Sequence, residues 1–288
     1  MRVDMHIHTN TSDGDRSVPE IIDIAFSKKL DAIAITDHDT LAHLNYVPKN
    51  PKVPVIAGVE ISAVDKNTGI KADVLGYGVR DPDLIEKLTI PMLEQRHEIS
   101  LRQIAFLQKC GSIIELDKLK KADGKYIYAQ HITEYLIETN QYNDIGNADI
   151  DYVDVRDAVN VIKKAGGLAV LAHPGRQKNF YMVGIAPFDG IEFNHPSNSM
   201  ADKAIIKAYA CKHNLFLTGG SDFHGKYDDM KVEIGDYLMP YGENQDELSW
   251  TNLVFYGDIF PYRVCCHGSA SVHRNKALFY FGIKLLPC

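Results

Sequence analysis

The pattern of apolar and polar residues predicts a short first strand, because the two kinds of side chain alternate over residues 3–7. A capping box follows, with Ser17 as the N-cap and Glu20 at the third helical position, and it predicts the start of a helix. The mostly apolar residues 30–36 then predict a buried strand. These elements in this order predict a β-α-β unit.

The pattern changes in the middle of the chain. Two further strands are predicted after a proline-rich loop, at residues 55–61 and 71–79. Beyond them, residues 84–107 and 129–139 show helical spacing, and no alternation of strands and helices is found between them. We therefore predict three parts: a first barrel segment at 1–81, a helical insertion that forms a lid at 82–150, and a second barrel segment at 151–288.

The alternation of strands and helices resumes after the insertion. A helix is predicted from Asp154, and Gly166-Gly167 ends it. Strands are predicted at 168–172, 190–194 and 215–219, with a helix at 201–212 before the last of them. Residues after about Trp250 show neither a helical period nor a further motif. We interpret them as an unassigned C-terminal segment, a terminal strand with a tail.

Histidines and carboxylates follow the predicted strands at their carboxyl ends. The histidines at these positions are His6, His8, His38, His173, His195 and His224. In parallel α/β architectures the carboxyl ends of the strands converge on one face, where sites are built. Histidines scattered by chance, or buried in a core, would not favour one end of the strands. The pattern therefore predicts a site for several metal ions.

Composition excludes some partners. The hydrophobic fraction is 45% and the charged fraction 24%, as in ordinary globular proteins. The net charge of -7 and the absence of a long basic run argue against duplex nucleic acid as a partner, although a nucleotide or a short strand end remains possible as substrate. No secretory leader and no apolar stretch of roughly 20 residues is found, so no membrane partner is expected. Five scattered cysteines favour a cytoplasmic location. The sequence predicts no oligomeric state.

Six short motifs carry a resemblance to a known family. They are D-x-H-x-H-T-x-x-S-D-G at 4–14, T-D-H-D at 36–39, G-V-E at 58–60, A-H-P-G-R at 172–176, G-I-E at 190–192 and S-D-F-H at 221–224. In this order they resemble the PHP (polymerase and histidinol phosphatase) metal-dependent phosphoesterases, among them nucleoside 3',5'-bisphosphate phosphatases and related 5'-3' exonucleases. The resemblance implies an α/β fold, a distorted (β/α)7 barrel of PHP type with an inserted helical lid subdomain. It also implies two or three divalent metal ions, namely manganese, zinc or iron.

Carried onto this chain, the resemblance implies three overlapping ligand sets. The first is His6, His8, Glu60 and Asp222; the second is Glu60, His173 and Asp73; the third is Asp13, His38 and His224. Asp73 departs from the family, since related sequences often place histidine there, and the metal preference of the second set is therefore open. Asp37 is either a ligand or a partner that orients His38, and the second interpretation is favoured because ligating histidines commonly donate to a carboxylate.

Further residues are candidates for contact with substrate. His195 is a candidate proton donor to the leaving oxygen, with a ligand or supporting role as the alternative. Arg176 is a candidate clamp for the substrate phosphate, with a surface loop position as the alternative. The insertion supplies candidates for a second phosphate or a nucleobase, each with a solvated helix face as the alternative: Arg96, Arg102 and His131.

Several functions fit these residues. The favoured hypothesis is hydrolysis of a phosphate monoester in a small phosphorylated substrate, such as a nucleoside 3',5'-bisphosphate, by metal-activated hydroxide. The alternative is a 5'-3' exonuclease on short oligonucleotides or RNA 5' ends. A histidinol phosphatase fits the Asp13-Gly14 start less well. An amidohydrolase-like enzyme would need a bridging lysine where this chain has Glu60. A metal-binding regulatory domain is disfavoured by the nearly complete ligand set.

Overall fold

The computed structural model describes residues 1–141, 150–177, 180–183, 187–228, 230–240 and 255–256. In chain order the strands are β1 (Val3–Asp4), β2 (Ala32–Ile35), β3 (Val55–Ile61), β4 (Ala63–Asp65), β5 (Ile70–Lys71), β6 (Val74–Tyr77), β7 (Val153–Asp154), β8 (Leu168–Leu171), β9 (Gly190–Asn194), β10 (Phe216–Gly219) and β11 (Phe255–Tyr256). The α-helices of these residues are α1 (Val18–Ser27), α2 (Pro82–Lys109), α3 (Ala129–Glu138), α4 (Val155–Lys164) and α5 (Met200–His213).

The main sheet curls into a barrel. Its strands follow the order β1-β2-β3-β6-β8-β9-β10, and β11 pairs with β3. The two ends of this order meet, because the amide of Met5 donates to the carbonyl of Gly219 at 3.2 Å and the amide of His8 donates to the carbonyl of Phe223 at 3.0 Å. A parallel bridge between Ile7 and Phe223 lies between these bonds. This closure confirms the predicted fold class.

One strand distorts the barrel. β6 runs antiparallel to both β3 and β8, whereas the other neighbours in the order from β1 to β10 run parallel. β3 and β6 are separated by the short β4 and β5, with no helix between them. Because parallel neighbours need a crossover connection, usually a helix, this short excursion returns the chain in the opposite direction.

The barrel helices form where the sequence caps them and supplies an apolar face. At the start of α1 the carboxylate of Glu20 accepts from the amide of Ser17 at 2.8 Å, which completes the predicted capping box. At the start of α4 the carboxylate of Asp154 accepts from the amide of Arg156 at 2.8 Å. The apolar side of α4, with Val159 and Ile162 among its buried residues, packs in the same core as β6 and β8.

The middle of the chain forms the predicted helical elements. The patterns at 84–107 and 129–139 correspond to α2 and α3. These helices share a small apolar core of their own, to which Ile104, Leu107, Ile132 and Leu136 belong. The limits of the insertion at 82 and 150 stay a prediction.

The C-terminal segment lies largely outside the described residues. Within it, β11 pairs antiparallel with β3, and Phe255 lies opposite Ile56. No helix of the described residues is both long enough and apolar enough to cross a membrane.

Candidate metal centre

Residues with metal-binding side chains collect at one end of the barrel. His6 and His8 follow β1, His38 follows β2, Glu60 lies in β3, and Asp222 follows β10. They meet because the carboxyl ends of parallel strands lie at the same edge of a sheet. The structure therefore brings together the residues that the sequence predicted as ligands.

Asp73 reaches the same face by a different route. It immediately precedes β6, and because β6 is antiparallel its amino end lies beside the carboxyl ends of β3 and β8. The backbone amide of Ala63 donates to one oxygen of Asp73 at 3.1 Å, which fixes the carboxylate beside the centre.

The first ligand group has nearly the dimensions of a tetrahedral site. Five pairs of its ligand atoms are 3.0–3.2 Å apart. The atoms are Nε2 of His6, Nε2 of His8, Oε2 of Glu60 and Oδ1 of Asp222. Tetrahedral coordination at about 2.0–2.1 Å needs separations of about 3.3 Å between ligand atoms. All of these side chains are buried. The first predicted set is thus assembled with the spacing that a divalent ion requires.

The second group shares Glu60 with the first. While Oε2 of Glu60 faces His6 and His8, its Oε1 lies 2.7 Å from Nε2 of His173. That nitrogen is 3.8 Å from Oδ2 of Asp73. A carboxylate that directs one oxygen into each group has the geometry of a bridge between two metal ions.

The third group lies at the more accessible side of the centre. Oδ2 of Asp13 is 3.7 Å from Nε2 of His38 and 3.4 Å from Nε2 of His224. Oδ1 of Asp13 is 3.3 Å from Nδ1 of His8, which belongs to both this group and the first. The three predicted sets therefore form one continuous cluster.

Electrostatics indicate that the cluster fits cations. Burial disfavours the charged imidazole of His6, yet the carboxylates of Asp222, Glu60 and Glu192 raise its pKa well above the usual value. One buried oxygen, Oδ1 of Asp222, has no hydrogen-bond donor among the described residues. A buried carboxylate oxygen without a donor is costly, and a cation coordinated by that oxygen would remove the cost.

Glu192 contacts two of the predicted ligands, His6 and His173, although sequence reasoning gave it no role. Its Oε1 lies 3.1 Å from Nδ1 of His6, and its Oε2 accepts from the amide of His173 at 2.8 Å. With the proton of His6 on Nδ1, the Nε2 atom is free to bind a metal ion. The G-I-E motif was the available signal, but the partner of Glu192 depends on contacts between distant strands.

Asp37 does not orient His38. It accepts from the amide and hydroxyl of Thr9 at 2.7 Å each, and from the hydroxyls of Thr11 and Ser12 at 2.6 Å each. Burial alone would raise its pKa, but the nearby His43 holds the pKa of Asp37 below its usual value. Among the described residues it makes no hydrogen bond to His38. The favoured interpretation of Asp37 is corrected: it fixes the loop at residues 9–12.

His195 and Arg176 both form hydrogen bonds with the carboxylate of Asp222. The amide of Ser197 donates to Nδ1 of His195 at 3.0 Å, so the proton of the neutral ring lies on Nε2, which is 3.2 Å from Oδ2 of Asp222. Nη2 of Arg176 donates to the same oxygen at 2.7 Å. Gly220 allows close packing against His6, because a Cβ there would lie 2.3 Å from the amide nitrogen of His6. His195 is fully buried.

A cavity of about 220 Å³ joins the metal centre to the insertion. Its lining residues are Asp13, His38, Ser62, Lys71, Asp73, Arg96, Tyr128, Ala129, Gln130 and Tyr152. Arg96 enters it from α2, pairs with Asp39 at 3.2 Å and lies over the ring of Tyr128. Of the predicted substrate residues, Arg96 alone lines this cavity.

The other two candidates from the insertion lie elsewhere. Arg102 is 72% exposed and pairs with Glu98 at 3.7 Å, so the solvated helix face is its observed position. His131 is buried behind the cavity, where its Nδ1 accepts from the amide of Tyr128 at 3.2 Å. Burial lowers the pKa of His131 to about 4, which keeps the ring neutral.

The fold is a barrel, and a cluster of carboxylates and histidines that share Glu60 lies at its strand ends. This fold and this site are those of a metal-dependent hydrolase. The family model described as PHP domain matches residues 4–261. The chain belongs to the PHP family, and it is a metal-dependent phosphoesterase.

Similar curated proteins act on different phosphate esters. A phosphoribosyl 1,2-cyclic phosphate 1,2-diphosphodiesterase of Eggerthella lenta is 33% identical over 247 residues, which cover 78% of this chain and 94% of that protein. A 3',5'-nucleoside bisphosphate phosphatase of Chromobacterium violaceum is 28% identical, with coverage of 77% and 87%. A 5'-3' exoribonuclease of Haemophilus influenzae is 27% identical, with coverage of 77% and 90%.

Solved structures share the fold. A Bifidobacterium adolescentis protein described as a metal-dependent phosphoesterase has a TM-score of 0.70 at 24% identity, covering 82% of this chain and 92% of that one. A Chromobacterium violaceum protein described as an amidohydrolase with bound sulfate and no metal has a TM-score of 0.65 at 25% identity, with coverage of 83% and 92%.

Proposed function

We propose that this protein hydrolyses a phosphate monoester in a small ribose compound that carries a second phosphate, such as a nucleoside 3',5'-bisphosphate. The observation that carries the proposal is the cavity of about 220 Å³ between the ligand groups and the insertion. Sites for drug-sized ligands typically enclose roughly 300–1,000 Å³. The smaller space favours a compact substrate over a nucleic-acid strand, and the net charge of -7 favours the same choice.

The named relatives support the ribose in this proposal. The names of the three similar proteins specify a phosphoribosyl compound, a nucleoside bisphosphate and RNA, and all of these contain phosphorylated ribose. The solved neighbour described with bound sulfate adds support, because sulfate has the tetrahedral shape of phosphate.

We propose that two or three divalent ions, of manganese, zinc or iron, occupy the three ligand groups. His6, His8, Glu60 and Asp222 would hold the first, Glu60 with His173 and Asp73 the second, and Asp13 with His38 and His224 the third. Bound divalent ions lower the pKa of a coordinated water and neutralise negative charge on the phosphoryl group.

The protein residues orient the ligands and the substrate. Glu192 keeps Nε2 of His6 free of its proton, while His195 fixes Asp222. A guanidinium has five N–H donors, so Arg176 keeps donors for the substrate phosphate after it binds Asp222. Its side chain is 46% exposed, as a residue that meets substrate must be.

Hydrolysis of a ribose cyclic phosphate is a second candidate function. It is favoured by the identity of 33% to the cyclic phosphate diphosphodiesterase of Eggerthella lenta. Such a substrate also contains a compact ribose with two phosphate groups, so the same cavity suits it. Exonuclease activity on short RNA remains the alternative, and a panel of substrates distinguishes it from hydrolysis of a small ribose phosphate.

We further propose that the protein acts in the cytoplasm without duplex nucleic acid or a membrane as partner. Cys110 and Cys211 are exposed free thiols, which suits a reducing compartment.

A substrate panel tests the proposal. Purified protein reconstituted with manganese is assayed with adenosine 3',5'-bisphosphate, phosphoribosyl 1,2-cyclic phosphate, 5'-phosphorylated di- to tetranucleotides, histidinol phosphate and 4-nitrophenyl phosphate. We expect kcat/KM to be highest for one of the two ribose compounds with two phosphates and to be lost in Asp222→Asn. A preference that increases with oligonucleotide length would contradict the proposal and establish the exonuclease alternative.

A further inference from the structure

The two cations that line the active-site cavity differ in their partners. Arg96 is already paired, because its Nη2 donates to Asp39 at 3.2 Å and lies 3.4 Å from the hydroxyl of Ser62. Lys71 donates to the hydroxyl of Tyr152 at 3.1 Å and lies 4.4 Å from the centre of that ring. Within the described ranges, Lys71 has no carboxylate within ion-pair distance. Its positive charge therefore remains available to a ligand in the cavity.

The fold holds Lys71 and Tyr152 beside the metal centre. Lys71 ends β5, two residues before Asp73, and Tyr152 immediately precedes β7. Both strands pair with β4 in a small three-stranded sheet. Because this sheet fixes the backbone of both residues, their side chains form a wall of the cavity that also contains Asp13 and His38.

Resting on the proposed function, we propose that Lys71 and Tyr152 bind the second, non-reacting phosphate of the substrate. An ammonium group has three donors, and one is used on Tyr152. Tyr152 accepts that bond and keeps its own O–H for a phosphate oxygen. The scissile phosphate lies at the ligand groups, and the second phosphate lies against this pair. Lys71 and Tyr152 thereby determine specificity for substrates with two anionic groups.

The surface behind Tyr152 limits the length of the substrate. A second cavity of about 450 Å³ lies there and shares Tyr152 as a lining residue. Three carboxylates line it, those of Asp151, Asp154 and Asp157, together with the single lysine Lys66. Like charges repel, so a polyanionic strand that extended past Tyr152 would be disfavoured. The site thus ends at the pair formed by Lys71 and Tyr152.

The test compares substrates that have one and two phosphates. We expect Lys71→Met to raise KM for adenosine 3',5'-bisphosphate by about tenfold or more, because the variant loses a charge-assisted hydrogen bond to the second phosphate. Its kcat, and its kcat/KM for 4-nitrophenyl phosphate, should stay within about twofold of the wild type. Lys71→Arg should retain most of the affinity, and Tyr152→Phe should raise KM by less than Lys71→Met does. Lys66→Met, in the second cavity, serves as the matched control and should change neither value.

The outcomes separate this inference from the proposed function. If the wild type hydrolyses the aryl phosphate but not the bisphosphate, the proposed substrate fails, and inhibition of aryl phosphate hydrolysis by the bisphosphate then measures its binding. A bisphosphate KM or inhibition constant unchanged in Lys71→Met would overturn the inference. Absence of inhibition in the wild type, or an equal loss on both substrates, would overturn it as well. Thermal unfolding of each variant verifies that the fold is intact.

Discussion

At the scale of single residues, Asp222 connects the metal centre to its supports. Oδ1 faces His6 and His8, whereas Oδ2 is held by Arg176 and His195. Burial lowers the pKa of His195, so its ring is neutral and donates to the carboxylate. We infer that His195 fixes the direction of Asp222 and does not give a proton to a leaving group.

Substitution of His195 distinguishes these two roles. We expect His195→Ala to weaken metal binding and to lower kcat by about 10–100-fold, as loss of a partner of a ligand usually does. His195→Gln should recover part of the loss, because its amide can donate to Asp222. The readouts are the metal dissociation constant and the pH profile of kcat, whose shape should not change. The leaving group of 4-nitrophenyl phosphate needs no proton. If His195→Ala hydrolysed this substrate as fast as the wild type does, His195 would instead be a proton donor.

The pH dependence of stability tests the environment of His131. Its pKa is about 4 in the folded protein, against about 6.5 in the unfolded chain. As the pH falls, the unfolded chain therefore binds the proton before the folded protein does. The contribution of the neutral ring to the free energy of unfolding is complete above about pH 6.5, decreases between about pH 6.5 and 4, and is absent below about pH 4. The full difference is about 3 kcal/mol. We expect the gap in unfolding free energy between the wild type and His131→Gln to shrink over this pH range. A constant gap would contradict the burial of a neutral ring.

At the scale of elements, the insertion is attached to the barrel beside His224, a proposed metal ligand. Glu134 of α3 is buried and contacts Lys120, Lys226 and Tyr227. Two of these partners follow His224 closely in the chain. One turn earlier on the same helix, Gln130 donates to the carbonyl of Asp13 at 3.3 Å. These contacts hold α3 over the third ligand group.

Removal of the charge of Glu134 should loosen this attachment. We expect Glu134→Gln to lower the free energy of unfolding by about 1–2 kcal/mol, since its lysine partners are partly exposed and solvent weakens the pairs. Glu138→Gln, at an exposed position of the same helix, is the control and should have little effect. Equal stability of the two variants in denaturant titrations would show that the contacts of Glu134 contribute nothing.

Local patterns predicted most elements and the histidines at the strand ends, because capping and strand-end residues are encoded within a few positions, whereas the three ligand sets were implied by the family resemblance. The capping box at Ser17 and the histidines at 6 and 8 are examples. The antiparallel direction of β6, which brings Asp73 to the centre, depends on strand pairing that periodicity does not report. The roles of Glu192 and Asp37 were missed for the same reason, since each depends on partners distant in the sequence.

At the scale of the whole molecule, the closed barrel gathers negative charge in its interior at one end. Asp13, Glu60, Glu192 and Asp222 belong to adjoining groups, and among the described residues Arg176 is the arginine that pairs with one of them. Burial of like charges opposes folding unless cations or protons compensate them. Bound divalent ions would provide that compensation and stabilise the folded state through their affinity for it.

Metal removal should therefore destabilise the protein. We expect a chelator to lower Tm and added manganese or zinc to restore it, with a shift that grows with metal concentration. In Asp222→Asn the restored shift should be smaller, because one ligand is weakened. A Tm that is independent of chelator and metal in the wild type would show that the cluster does not bind cations.

We propose that the cluster sharing Glu60 is the metal centre of the phosphoesterase. The most direct test of this proposal measures bound metal per chain and phosphate release from the best substrate in the panel, in the wild type and in Glu60→Gln. We predict two or three ions per chain in the wild type, fewer in the variant, and a loss of kcat of about 10³-fold or more, because metal ions contribute several kcal/mol to such reactions. A folded Glu60→Gln variant that retains its metal content and its activity would contradict the account.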